Sequence, residues 1–225
     1  MNRSLTTLCM CFALVCTAYA EDSAPRPAPT TLTQPKGASE NVDARGFIHR
    51  WLVLEPLSVP GRLTQSAVEE AIQSAQLPNS GDSLPHDGKS VTLANTSLTW
   101  HALETLHYNL NLYHFAWSLS KPTSNVLFWI TTTVDSPQEM QDVRLAIGSN
   151  AASRWWLNGD PVIALSDDRQ TVIDDGVSKR VTLHKGRNLI RAAIINGGGA
   201  TDFCARFLDA NDKPITNLKA SIEER

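Results

Sequence analysis

Short apolar runs that end at tight-turn sequences fill the second half of the chain. Residues 143–147 are followed by Gly148, residues 154–157 by Asn158-Gly159, and residues 188–195 are followed closely by a triple glycine. Apolar strands with turn sequences about every ten residues are typical of antiparallel sandwiches and barrels rather than of parallel α/β sheets. The pattern therefore predicts an all-β fold built from antiparallel strands.

The first half repeats this pattern and adds one helix. Residues 47–54 form an apolar run that Pro56 ends, which predicts an opening strand. Residues 106–112 alternate between apolar and polar and predict a half-buried strand, which residues 114–117 either continue or turn away from. Residues 125–134 are apolar on both faces, which predicts a central strand covered on both sides. The i, i+3, i+4, i+7 spacing predicts one short helix, whose apolar face consists of Val68, Ala71, Ile72 and Ala75.

The N-terminus has the three parts of a secretory signal peptide. Arg3 supplies positive charge, a stretch of apolar and small residues follows, and Ala18-Tyr19-Ala20 has the small-x-small pattern that signal peptidase recognises. We therefore expect residues 1–20 to be removed and the mature protein to be secreted or periplasmic. The apolar stretch is shorter than the about 20 residues that cross a bilayer, so no integral membrane span is expected. A lipid anchor on Cys16 is the alternative, although Val15 stands where a small residue is usual.

The rest of the chain divides into three segments that differ in composition. Residues 21–45 are rich in proline and contain hardly any apolar residue, which predicts a disordered linker. Residues 46–220 contain the apolar strands and are predicted to form the β-sandwich domain. Residues 221–225 are predicted to be a polar tail.

The charge and the cysteine content argue against some classes of partner and of stabilising bond. The formal net charge is −3, and because phosphate binding needs a basic surface, no nucleic acid partner is expected. Removal of the signal peptide leaves Cys204 as the one cysteine, so no internal disulfide is expected. Cys204 alternates with apolar neighbours and is predicted to be a buried, unreactive thiol.

Some residues partly match known catalytic or metal-binding patterns. The tetrapeptide Gly81-Asp82-Ser83-Leu84 matches the signature of GDSL hydrolases, but it follows a helix and a turn rather than a strand, so no catalytic residue is predicted. No histidine pair has metal-ligand spacing, so neither a metal site nor a cofactor is predicted. Asp167-Asp168 and Asp174-Asp175 bracket a loop that is either simply solvated or a calcium ligand.

Several short motifs resemble one family. The segment Trp51-Leu52-Val53-Leu54-Glu55-Pro56 is similar to the opening of a group of bacterial secreted β-sandwich modules. Trp156-Leu157-Asn158-Gly159 and the segment from Leu183 to Asn188 resemble signatures of galactose-binding-domain-like jelly rolls. The resemblance implies a jelly-roll module of the kind that accompanies glycoside hydrolases and carbohydrate esterases. Where the family pattern has Asp-Asp-Gly, this chain has Asn150-Ala151-Ala152, which implies a weakened ligand or ion site there.

Tryptophans and loop residues supply the candidate ligand contacts. Because neighbouring strand residues face opposite sides, one of Trp155 and Trp156 is expected in the core and the other outside or under a loop. Loops carry function on rigid β scaffolds, so a ligand site is expected at one end of the sandwich. The ligand-binding candidates are Arg169, Asp175, Asn196 and Trp155.

Together these patterns predict an all-β protein, an antiparallel jelly-roll β-sandwich with one short α-helix. The predicted function is non-catalytic binding of a carbohydrate or of a glycan-bearing partner. One alternative is a structural or assembly module that contacts another envelope or secreted protein. A second is a small hydrolase, which needs a nucleophile within hydrogen-bond reach of a base.

Overall fold

The structure, a computed structural model, describes residues 32–78 and 83–223. Two antiparallel β-sheets pack face to face, and two helices accompany them. The helices are α1 (Gln65–Ser74) and α2 (Leu112–Ser118). The strands are β1 (Leu32–Thr33), β2 (Ser39–Asn41), β3 (Arg50–Leu54), β4 (Leu57–Ser58), β5 (Ser90–Leu93), β6 (Thr96–Thr105), β7 (Leu110–Asn111), β8 (Val126–Ser136), β9 (Met140–Ser149), β10 (Ala152–Leu157), β11 (Asp160–Leu165), β12 (Gly176–Val177), β13 (Val181–Leu183), β14 (Gly186–Asn196), β15 (Asp202–Leu208) and β16 (Lys219–Ser221).

The two sheets differ in size. The large sheet has the strand order β1-β6-β3-β8-β14-β10-β11; in addition β4 and β16 pair with β8, β2 pairs with β16, and β5 pairs with β6. The small sheet has the order β12-β9-β15-β7, and β13 pairs with β9. All of these pairings are antiparallel, so the predicted all-β antiparallel sandwich is confirmed.

The space between the sheets holds an aromatic cluster. Trp51 from β3, Trp155 from β10 and Phe203 from β15 are each at most 1% exposed. Their ring centroids lie 5.1–6.1 Å apart, with interplanar angles of 63–86°. Edge-to-face pairs of this kind each contribute about 0.5–1.5 kcal/mol beyond the burial of their area, so this cluster joins the two sheets at the centre of the core.

A second apolar layer covers the outer face of the large sheet. Side chains alternate along a strand, so Leu52 and Leu54 of β3 face away from the small sheet. Helix α1 packs on this face, and the indole N–H of Trp129 donates to the carbonyl of Ala75 at 2.8 Å. Strand β8 is therefore buried on both faces, which confirms the prediction of a central strand. The helical residues buried against it are Val68, Ala71 and Ile72.

The periodicity of apolar residues in the sequence did not predict helix α2. Its N-cap is Asn111, whose side-chain oxygen accepts a hydrogen bond from the backbone N–H of His114 at 2.8 Å. This cap ends the short strand β7 and turns the chain into a helix, so the described residues contain two helices where one was expected. Neither described helix combines the length and the apolar character needed to cross a bilayer.

The N-terminal segment of the described chain belongs to the sheet, unlike the disordered linker predicted for residues 21–45. Strand β1 pairs with β6, and β2 pairs with β16. Arg50, which is 4% exposed, donates to the carbonyl of Gly37 at 2.9 Å and forms ion pairs with Glu40 and Glu104. Backbone pairing and one buried guanidinium attach this segment, and neither is visible as an apolar pattern. Residues 1–31, which include the predicted signal peptide and the start of the linker, lie outside the described residues.

The C-terminal residues depart from the prediction in the same way. Ser221 lies in β16, which pairs with β8, and Ile222 is 6% exposed. The predicted polar tail of residues 221–225 is thus part of the fold as far as residue 222.

Two glycine-containing turns have different roles. Asn158 and Gly159 have positive φ angles of 52° and 90° and join β10 to its neighbour β11 as a hairpin, as predicted. Gly186, with φ of 82°, instead joins β13 of the small sheet to β14 of the large sheet. The two turns are connected, because the side-chain amide of Asn158 donates to the side-chain oxygen of Asn188 at 3.0 Å.

Candidate functional site

Strand β10 sends its two adjacent tryptophans to opposite faces of the large sheet. Trp155 is fully buried between the sheets, and its indole N–H donates to the Ser153 hydroxyl at 3.0 Å. Trp156 lies on the outer face and is half-buried. The expected division of the pair is therefore confirmed, but the choice of Trp155 as a ligand contact is corrected. Its ring has no exposed surface, so the tryptophan that a ligand can reach is Trp156.

The strand register places a cation beside Trp156. In the β10–β14 ladder Trp156 is directly opposite Arg191, and in the β14–β8 ladder Ala193 is opposite Trp129. Directly opposed residues of antiparallel strands share a face, and so do residues two apart on one strand. Trp156, Arg191 and Trp129 consequently lie together on the outer face.

These residues line a groove next to the end of α1. The groove has a volume of about 200 Å³, and the centroids of Trp129 and Trp156 lie 5.7 Å apart at an interplanar angle of 34°. Trp129 is 5% exposed and forms part of the floor, whereas Trp156 is the more accessible ring. The remaining described lining residues are Ile72, Gln76, Leu77, Gly159, Leu189 and Arg191.

The groove combines an aromatic surface with the polar side chains of Gln76 and Arg191. Gln76 is exposed just beyond the end of α1 and has an amide that both donates and accepts. Arg191 is the charged residue of the described lining; it also interacts elsewhere in the chain. A guanidinium has five N–H donors and can therefore take part in more than one interaction. A concave apolar surface with a small number of polar groups is the usual form of a small-molecule site.

The loop residues predicted to bind a ligand, Arg169, Asp175 and Asn196, make their side-chain contacts within the protein itself. Arg169 and Asp175 form an ion pair within the segment that joins β11 to β12. Their side chains are 29% and 33% exposed, so the pair is a surface contact. The charge of each residue is already compensated by the other.

Asn196 has a structural role. It is 3% exposed, and its amide nitrogen donates to the carbonyls of Thr123 at 2.7 Å and Gly199 at 3.2 Å. Its side-chain oxygen accepts from the backbone N–H of Gly198 at 3.1 Å. Two of these contacts hold the glycine run that follows β14, and the third joins it to the segment before β8, so this side chain is not directed at a ligand.

Asn150 joins the two loops at this end of the sandwich. Its side-chain nitrogen donates to the carbonyl of Ala200 at 2.6 Å, and its side-chain oxygen accepts from the backbone N–H of Asp202 at 2.9 Å. Its carbonyl accepts from the backbone N–H of Arg169 at 3.3 Å. Asn150 stands where the resembling family has the first aspartate of Asp-Asp-Gly, and in this chain it bridges two loops. We call Asn150, Arg169, Asp175, Asn196 and Asp202 the loop cluster, because each of them bonds within the protein in the loops that follow β9, β11 and β14.

The other sequence candidates take ordinary positions. Cys204 is 2% exposed, and its burial raises the pKa of the thiol to about 11, so it stays protonated and unreactive near neutral pH. Within residues 32–78 and 83–223 no group of three or more histidine, cysteine, aspartate or glutamate side chains is arranged to hold a metal ion. Ser83 is exposed, and the described lining of the recess that it borders includes no histidine.

Known proteins resemble this chain only distantly. No protein-family model matches it, and no curated protein matches it by sequence. Among solved structures it is similar to the PA14 domain of the MpAFP antifreeze protein, with 12% identity, a TM-score of 0.44, and coverage of 76% of this chain and 89% of that one. A PA14 sugar-binding domain from an RTX adhesin gives 11% identity and a TM-score of 0.44, covering 78% of this chain and 100% of that one.

A β-glucosidase from Kluyveromyces marxianus, solved with glucose, gives 16% identity and a TM-score of 0.39 over 71% of this chain. The matched region is 16% of the β-glucosidase, so this chain spans about a sixth of that enzyme's length. With TM-scores below 0.5, none of these likenesses supports an inference about what this chain binds.

Proposed function

We propose that this domain is a non-catalytic carbohydrate-binding module of the galactose-binding-like jelly-roll type and that its ligand lies in the groove beside α1. The single observation that supports this is Trp156, a half-buried indole that lines a groove together with Arg191 and Gln76. The chain is proposed to act outside the cytoplasm, either secreted or in the periplasm, after removal of residues 1–20.

The chemistry of the groove suits a sugar ring. A pyranose has an apolar C–H face and a rim of hydroxyl groups, and an indole offers a flat apolar surface of matching character. Hydroxyl groups at the rim need partners that both donate and accept, which the amide of Gln76 supplies, and donors that the guanidinium of Arg191 supplies.

The loop cluster supports the second candidate function, a structural or assembly module. Its polar side chains bond to the chain's own backbone, as Asn196 and Asn150 show. Because these side chains already bond to the protein's own backbone, this end of the sandwich would serve as a rigid contact surface for another envelope or secreted protein. The hydrolase alternative has less support, because the recess that Ser83 borders has no histidine in its described lining.

The test is binding of glycans to the mature protein. A glycan array identifies candidate sugars, and titration calorimetry then measures the dissociation constant for each. We expect Trp156→Ala to weaken binding at least 30-fold, an estimate of about 2 kcal/mol from the loss of a central aromatic contact. Gln76→Ala should weaken it by about three- to tenfold, the effect of about one hydrogen bond.

The matched control is Gln73→Ala. Gln73 is exposed on α1 and does not line the groove, so its substitution should leave the dissociation constant unchanged. Thermal unfolding of each variant confirms that the fold is retained. Sugar binding that survives Trp156→Ala would exclude this groove, and a mature protein that binds no glycan would favour the structural module.

A further inference from the structure

The groove does not end at Arg191. A second recess of about 370 Å³ lies on the same outer face and shares Leu77 and Arg191 with the first. Beyond these shared residues its lining includes Trp100 of β6, Lys89 and Ser90. The two recesses therefore adjoin at Leu77 and Arg191, and we call them together the track.

The strand order gives the extent of this track. Trp156 lies on β10 and Trp100 on β6, and the order of the strands between them is β6-β3-β8-β14-β10. Neighbouring strands are about 4.8 Å apart, so four intervals separate the two tryptophans by roughly 19 Å across the sheet. A single sugar ring at Trp156 does not reach Trp100.

The second recess offers hydrogen-bonding groups rather than a stacking surface. Trp100 is 3% exposed and forms its floor. Lys89 and Ser90 are exposed, and the backbone N–H of Trp100 donates to the carbonyl of Lys89 at 2.9 Å, which fixes this segment against β6. The Ser90 hydroxyl shares a hydrogen bond with the Thr99 hydroxyl at 3.3 Å and keeps further acceptor capacity. Together with the Lys89 ammonium it can serve sugar hydroxyl groups at a defined place on the track.

We infer that the ligand is an oligosaccharide of at least two linked sugars, with one ring at Trp156 and the chain continuing past Arg191 towards Lys89 and Ser90. This inference rests on the proposed function, since it extends the same site. It assigns Lys89 and Ser90 as residues that recognise ligand length, while Trp156 is required for a ligand of any length.

The experiment is calorimetric titration of the mature protein with ladders of one to six units of β-glucosyl, β-xylosyl and N-acetylglucosamine oligosaccharides. We expect the affinity of the ladder that binds to rise with length until the track is filled. Lys89→Ala and Ser90→Ala should each weaken the longest oligosaccharide by about three- to tenfold, the effect of about one hydrogen bond, and change the shortest one by less than about twofold. Lys179→Ala is the matched control, because Lys179 is exposed in the connection between β12 and β13, away from both recesses.

The outcomes separate the two proposals. If one sugar unit binds as tightly as six, the second recess is not part of the site, while sugar binding itself stands. If affinity rises with length but Lys89→Ala and Ser90→Ala have no effect, the ligand leaves the groove by another path and the inference is overturned. If no ladder binds at all, the inference falls together with sugar binding in this groove.

Discussion

The loop cluster and the groove beside α1 both contain polar side chains, but those of the loop cluster bond within the protein, whereas those of the groove border an open recess. In the loop cluster Asn196 makes three hydrogen bonds to backbone groups, and Arg169 is paired with Asp175. In the groove Trp156 packs on the sheet and also lines an open recess. The comparison indicates that polar residues in a loop are poor evidence for a binding site until their own partners are known.

The physical reason lies in the backbone. A long loop and a glycine run leave N–H and C=O groups outside any sheet ladder, and these groups need partners when they are shielded from water. Asparagine side chains can supply both a donor and an acceptor at short range, so they are used internally. An outward-facing tryptophan on a paired strand is not needed for this purpose, because the backbone N–H and C=O groups there are already hydrogen-bonded to the neighbouring strands.

The largest expected effect contrasts the two adjacent tryptophans. Trp155→Ala removes a fully buried ring from the aromatic cluster and should lower the free energy of unfolding by about 3–5 kcal/mol. Trp156→Ala removes a half-buried ring and should cost less than half as much. Urea unfolding of both variants measures the difference. Equal losses would mean that Trp156 is a core residue, and the groove would then lose its principal ligand contact.

The next effect concerns the loop cluster. Asn196→Ala leaves the backbone N–H of Gly198 and the carbonyl of Thr123 without their partner, which should cost about 1–3 kcal/mol. Sugar affinity should not change. Asn211→Ala is the control, because Asn211 is exposed and its side chain forms no hydrogen bond within the described residues. A loss of sugar binding by Asn196→Ala with little change in stability would return the ligand site to the loops.

A smaller effect is expected for the surface ion pair. Arg169→Ala should reduce stability by at most about 1 kcal/mol, because the pair with Asp175 is partly exposed and screened. A double-mutant cycle with Asp175→Ala isolates the pairwise energy. Glycan affinity should stay within about twofold of the wild type, since about 0.4 kcal/mol corresponds to that ratio. Abolished binding would show that this pair opens to receive a ligand.

The smallest effect concerns Glu40. Its negative charge is unfavourable in the folded state, whereas the charges of Arg169 and Asp175 in the loop cluster compensate each other. Burial raises the pKa of Glu40 above 4.5, and the hydrogen bond and negative charge of Glu104 raise it further, while Arg50 and His49 act in the opposite direction. The folded state therefore holds the proton more tightly than the unfolded state. The resulting stabilisation is complete below about pH 4.5 and is lost as the pH rises through the raised pKa.

Glu40→Gln removes this titration, so its stability relative to the wild type should be greater at pH 7 than at pH 4. Urea unfolding at both pH values measures this, with Glu70→Gln on the exposed face of α1 as the control. If the unfolding free energies of Glu40→Gln and the wild type differ by the same amount at both pH values, the charge of Glu40 is not unfavourable in the folded state.

Local patterns predicted the repeating elements well. The helix around Val68 and Ile72, the doubly buried strand β8 and the hairpin at Asn158-Gly159 all follow from periodicity or turn chemistry within a few residues. The same reasoning missed α2, where a single cap at Asn111 decides the conformation. It also missed the attachment of residues 32–42, which depends on backbone pairing and on Arg50 rather than on apolar side chains.

The candidate site could be predicted only in part. Alternation along β10 showed that one of Trp155 and Trp156 faces outward, but the choice between them needs the position of the small sheet. The pairing of Trp156 with Arg191 depends on the β10–β14 register, which joins residues far apart in the chain. The approach of Gln76 depends on where α1 packs, and no local pattern encodes that position.

By itself the sequence determined the fold class, the alternation of faces and the turns, because these depend on interactions between residues close together in the chain. The tertiary structure alone decided which polar groups are used internally and which tryptophan is accessible. Those properties depend on contacts between distant residues, such as Asn150 with Ala200 and Trp129 with Ala75. A side chain becomes available to a ligand only after the fold has satisfied its own donors, acceptors and apolar surface.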